Sequence, residues 1–205
     1  MRKLFFCLAI PLVACNNTDK SAEQQSSKDS AMTEITTTVS TEADSNCFHE
    51  EPTGILEKNA FPKMSFELQS DKKVGIETVN FENGDKLTIK DWGCNDYMLT
   101  FRFETSRFQS EPTNVGFWYK RTVTLLNEIN KKVSDSPINI ISGTNRLMER
   151  IEEEVPNGYQ NLEFNEELGF EDGDVRTYVK IDRVEQLSDK KFAIEITFSK
   201  GPMHP

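Results

Sequence analysis

Residues 97–133 read YMLTFRFETSRFQSEPTNVGFWYKRTVTLLNEINKKV, and the spacing of the apolar side chains changes partway along. Tyr97, Leu99, Phe101 and Phe103 alternate with Met98, Thr100, Arg102 and Glu104. A period of two is that of a strand with one face buried. Beyond it Val115, Trp118, Thr122, Leu125, Leu126, Ile129 and Val133 recur at steps of three and four. That spacing predicts one amphipathic helix of about five turns, with Thr113 and Asn114 as candidate caps.

The flanks extend the pattern in both directions. Upstream, Thr78–Phe81 and Leu87–Lys90 flank Glu82-Asn83-Gly84-Asp85, and Asn-Gly is a strong hairpin signal because both residue types tolerate positive φ. Met64, Phe66 and Leu68 predict a further strand. Downstream of Ser142 a shorter helix is expected, with Leu147, Met148, Ile151 and Val155 on one face and Pro156 ending it. Val175, Thr177, Val179 and Ile181 then alternate up to a turn at Leu187-Ser188-Asp189-Lys190. Phe192, Ile194, Ile196 and Phe198 form the last strand. The expectation is an α+β domain: an antiparallel sheet with two helices inserted between N-terminal and C-terminal strands, packed on one face.

The N-terminal part cannot join that core. Arg2 and Lys3 precede the uncharged run Leu4–Ala14, which has the form of a basic n-region and a short h-region, too short to span a bilayer and interrupted by Pro11. At its end Leu12-Val13-Ala14-Cys15 resembles the lipobox of bacterial lipoproteins. The resemblance implies cleavage before Cys15 and lipidation of that cysteine, its thiol taking a diacylglycerol. Two or three acyl chains give a stable anchor where one does not. Asn16 rather than Asp follows, which by the same resemblance favours the outer membrane. Residues 16–46 are rich in Ser, Thr, Gln, Asp, Glu and Lys and lack the apolar content of a core, so they read as a disordered tether spanning roughly 30 Å. The expected organisation is therefore 1–14 signal peptide, 15–46 lipidated cysteine and tether, and 47–205 one globular domain in the cell envelope.

Cysteine use and charge narrow the chemistry. Removing the signal takes Cys7, and lipid takes Cys15, leaving Cys47 and Cys94 as a disulfide candidate in an exported domain. Free thiols are the alternative; a zinc site lacks ligands, since only His49 lies near Cys47 and His204 is next to the C-terminus. Losing Arg2 and Lys3 leaves 22 basic against 34 acidic residues, a net charge of −12 that argues against nucleic acid as partner. No Gly-rich phosphate loop, zinc-hydrolase helix or nucleophilic triad is legible, and no cofactor or metal is expected. The carboxylates Glu166, Glu167, Glu171, Asp172 and Asp174 crowd one turn, but without EF-hand spacing.

One stretch stands out against the acidic background. Between Ser106 and Arg121, Arg107, Phe108, Phe117, Trp118, Tyr119, Lys120 and Arg121 place cations beside aromatic rings, the composition of interface hot spots. Trp118 also fits a core position at the start of the helix. Arg107, Phe108, Tyr119 and Arg121 are the expected partner-binding residues, Tyr119 and Arg121 lying at the edge of the buried stripe. Three functions are compatible with this reading: a membrane-anchored binding or accessory protein, a carboxylate-dependent envelope hydrolase, and a periplasmic immunity or inhibitor protein against a basic toxin.

Overall fold

The structure, a computed structural model, describes residues 50–202. These residues fall within one compact unit of the chain, Glu42–Pro205. Four strands follow one another as a meander: β1 (Ser65–Leu68), β2 (Gly75–Asn80), β3 (Lys86–Trp92) and β4 (Tyr97–Thr105). Two helices come next, α1 (Val115–Asn130) and α2 (Ile140–Glu154), and then β5 (Leu168–Gly169), β6 (Val175–Ser188) and β7 (Lys191–Pro202). The sheet order is β1-β2-β3-β4-β7-β6-β5, with every pair antiparallel. The domain is α+β, and both helices stand between the N-terminal and C-terminal strand groups.

Register explains which face is covered. Ile89, Phe101, Ile196 and Ile181 lie opposite one another across four strands, and so do Leu87, Phe103 and Ile194. They share a core with Trp118, Leu125, Leu126, Ile129 and Leu147 of the helices. Gly143 lets α2 come close: a Cβ there would sit 2.5 Å from Phe198 Cε1.

The opposite face is polar and satisfies itself. Thr197 donates to Asp182 Oδ2 at 2.7 Å. The Thr100 hydroxyl must then donate to Thr197 across 3.1 Å, and it accepts from Trp92 Nε1. A bulge in β6 between Ile181 and Arg183 puts Asp182 and Arg183 on this face together, and Arg102 and Arg183 both reach Glu195.

Several boundaries differ from expectation. Helix α1 ends at Asn130, and Val133 instead pairs with Leu56 as an isolated bridge. Helix α2 begins at Ile140, because Asn139 caps it by accepting from the Ser142 N–H at 3.1 Å. Its inner face is Ile140, Gly143, Thr144 and Leu147, so Met148 and Val155, expected inside, are 37% and 56% exposed. In the hairpin only Gly84 takes positive φ; Asn83 caps the turn with its side chain, accepting from Asp85 N. The acidic turn before β6 contains β5, which borders β6 through Leu168 and Gly169.

Residues 52–57 are laid against this core by a buried carboxylate. Glu77 points inward from β2 and accepts the Ile55 N–H at 3.1 Å and the Leu56 N–H at 3.3 Å. Burial pushes its carboxyl above the ordinary value, and the two backbone donors pull the other way without cancelling it. Below the unfolded value of 4.5 both states hold the proton and the contribution of Glu77 to stability is fully present; as pH rises through the raised folded value it is lost. Urea unfolding from pH 4 to 7 should therefore show wild-type protein losing stability relative to Glu77→Gln as pH rises. A pH-independent difference between the two would contradict this.

Candidate partner-binding site

The segment joining β4 to α1 carries the arginine and aromatic residues, and local hydrogen bonds set its path. Thr105 accepts from Arg107 N at 3.1 Å, and Asn114 caps α1 by accepting from Phe117 N at 3.2 Å. Arg107 turns back toward the sheet, its Nε 2.7 Å from Asp85 Oδ2 and its two terminal nitrogens on the carboxylate of Glu128 at 2.8 and 3.0 Å. It closes over a small cavity of about 30 Å³ lined by Phe81, Phe103 and Ile129 among others.

The rings form a chain from surface to core. The Arg107 guanidinium lies 5.3 Å from the centroid of Phe108, and that of Arg121 lies 5.1 Å from Phe108 and 4.9 Å from Phe117. Phe117 meets Trp118 edge-on at 5.1 Å, and Trp118 meets Phe192 of the sheet at 4.9 Å. Lys120 places its ammonium 3.8 Å from the ring centroid of Tyr159.

Of the four residues expected here, three cluster. Arg107, Phe108 and Arg121 come together. Tyr119 does not: it is fully buried, its hydroxyl donates to Glu163 O at 2.8 Å, and burial first, then the Glu166 charge, pushes its phenol up. It belongs to the core, because α1 is covered on a second side by the loop 157–166, where a Cβ on Gly116 would come 2.7 Å from Tyr159.

Ion pairing separates the cations. Among the described residues Arg102, Arg107, Arg146, Arg150, Arg176 and Arg183 each meet a carboxylate. Arg121 has no such partner, and its Nε is buried without a hydrogen-bond acceptor. It stands in the second turn of α1, a helix with no acid in its first turn, so the positive end of the helix dipole is uncompensated there. This is a local cationic patch on an acidic protein.

A second recess lies at the end of the sheet. Glu50, Glu51, Asp91, Tyr97 and Asp135 line a cavity of about 210 Å³, and Tyr97 donates to Asp91 Oδ2 at 2.8 Å. Burial, that hydrogen bond and the nearby Asp91 and Asp135 charges push the Tyr97 phenol up. Sequence reading passed over Asp91, although it continues the inward phase of Leu87 and Ile89, where a charge is out of place.

The other expected groups are dispersed. Glu166 and Glu167 pair with separate arginines, Arg150 and Arg176, and do not converge on one point. Among the described residues no group of three or more His, Cys, Asp or Glu is placed to hold a metal ion, and no helix is long and apolar enough to cross a membrane. Cys94 lies between β3 and β4, and the cysteine expected to pair with it is not among the described residues. Cys15, Cys47, His49 and His204 also lie outside them. Comparisons with protein-family models, curated proteins and solved structures give no match.

Proposed function

We propose that the chain is a lipid-anchored binding protein of the cell envelope, held at the outer membrane through Cys15 and meeting a protein partner at the surface formed by Arg107, Phe108, Phe117 and Arg121. The observation that carries the reading is Arg121: a partly desolvated guanidinium seated on two rings, with no carboxylate of its own. Unsatisfied buried donors are uncommon in folded proteins, and each one calls for a physical explanation. A tether of about 30 residues would keep such a surface close to envelope partners and raise their effective concentration. Disulfide pairing of Cys47 with Cys94 would fix the start of the domain to the sheet.

Mass spectrometry of protein taken from envelopes tests the attachment. The expected peptides are one beginning at diacylated Cys15 and one linking Cys47 to Cys94; unprocessed Cys15 and an alkylatable Cys47 would reject both. Photo-crosslinking in intact envelopes tests the site. Arg121→Ala should weaken capture about fivefold or more, corresponding to about 1 kcal/mol or more. Capture unchanged in a folded variant would remove the site.

The carboxylate-lined recess around Asp91 and Asp135 gives the hydrolase alternative its residues. Turnover of cell-wall glycan or peptide by pure protein, lost in Asp91→Asn, would replace the binding reading.

A further inference from the structure

We infer that Arg121 is the receptor for a carboxylate presented by an acidic peptide segment of the partner; this rests on the binding reading above. The guanidinium lies over both Phe108 and Phe117, 5.1 and 4.9 Å from their centroids, and its Nε is buried, so the two terminal NH2 groups are what remains for recognition. Two parallel N–H groups match the two oxygens of a carboxylate. Phe108 and Phe117 are both packed against the core, so the platform exists before any partner arrives, and little ordering entropy remains to be lost on binding.

Charge selects among anions. The surrounding protein is acidic, with a formal net charge of −10, and Arg107 beside the patch is more than neutralised by the two carboxylates of Asp85 and Glu128. Uncompensated positive charge at the patch therefore amounts to Arg121, Lys120 and the end of the helix dipole. Phosphate recognition draws on clusters of free arginines to meet nearly two negative charges. A single free fork flanked by apolar rings is matched instead to a monoanion carried on a chain that also brings apolar contact. At physiological ionic strength the acidic remainder of the surface is screened beyond roughly 8 Å, so it does not forbid a short acidic segment here.

The test uses the full mature chain and follows the Arg Nε–Hε resonances by NMR, with the Arg121 signal identified by its loss in Arg121→Lys. Probes are an N-acetylated, C-terminally amidated hexaglutamate, the matching hexaglutamine with amide or free C-terminal carboxylate, and a hexapeptide of alternating phosphoserine and glutamine. Hexaglutamate should shift the Arg121 signal saturably, and hexaglutamine amide should not. Arg121→Lys should weaken hexaglutamate binding about tenfold, because an ammonium cannot form the paired contact. Response to the free C-terminal carboxylate alone would keep the carboxylate and assign it to a chain terminus.

Equal binding by Arg121→Lys, or preference for the phosphoserine peptide, would overturn the inference. The two readings fail separately. Envelope capture lost in Arg121→Ala with no response to any carboxylate probe leaves the binding site and removes its carboxylate ligand; capture unchanged in Arg121→Ala removes the site itself.

Discussion

Trp118→Ala should lower the unfolding free energy by about 3–5 kcal/mol, the range for deleting a fully buried indole. Trp118 has no solvent exposure, packs edge-on to Phe117, lies against Phe192, and donates its Nε1–H to Glu111 O at 2.9 Å. Its loss would leave a cavity where α1 meets β7 and would leave the Glu111 carbonyl without its indole donor. Tyr119→Phe removes only a hydroxyl donating to Glu163 O and should cost about 1 kcal/mol. Urea unfolding reports both, with Trp92 as the remaining fluorophore in the alanine variant. A Trp118→Ala protein as stable as wild type would show that the indole is not part of the core, returning it to the interface composition from which sequence alone could not separate it.

The difference between these neighbours shows what the sequence could and could not carry. The sheet was legible because a half-covered strand writes its burial as alternation, as in Leu99, Phe101 and Phe103 or Ile194, Ile196 and Phe198. Tyr119 was misplaced because the stripe on α1 is wider than one covering surface requires. Gly116 and Tyr119 face the loop 157–166, which has no periodicity of its own to announce it. That loop is fixed by a tertiary knot: Arg150 reaches Glu154, Glu166 and the Asn161 carbonyl, and Glu154 also accepts from Asn157 and Asn161. The two-residue strand β5 was hidden for a similar reason, since two residues cannot establish a period. Met148 and Val155 were assigned inward because an apolar residue at helical spacing reads as core, whereas the Asn139 cap starts α2 earlier and its inner line runs through Gly143 and Leu147. At the candidate site the composition was visible, but which arginine is ion-paired depends on Asp85 and Glu128, both far in sequence from Arg107.

That pairing leads to opposite expectations for the two arginines. Arg107→Ala should destabilise the fold by about 1–3 kcal/mol, the cost of leaving a buried carboxylate without its counter-ion and with only the Asn83 amide still donating to it. The decisive contact is with Asp85, whose side chain is only 7% exposed; Glu128 is 46% exposed and its share is small. Arg107 was expected as a partner-binding residue, and its ion pair with Asp85 gives it a structural role as well. Arg121→Ala gives up cation–π contacts worth about 0.5–1 kcal/mol but also removes an unpaired donor and a cation near the positive end of α1, so its net effect should stay within about 0.5 kcal/mol. Adding Asp85→Asn to Arg107→Ala should recover part of the loss, because the carboxylate left behind is then neutral. Thermal melts of the four proteins, run beside envelope capture, separate the roles: a stability cost at Arg107 relieved by Asp85→Asn, and a capture cost at Arg121 with no stability cost. The reverse assignment, with Arg121→Ala unfolding the domain and Arg107→Ala leaving it as stable as wild type, would mean that the unpaired guanidinium holds the helix in place and that the partner surface lies elsewhere.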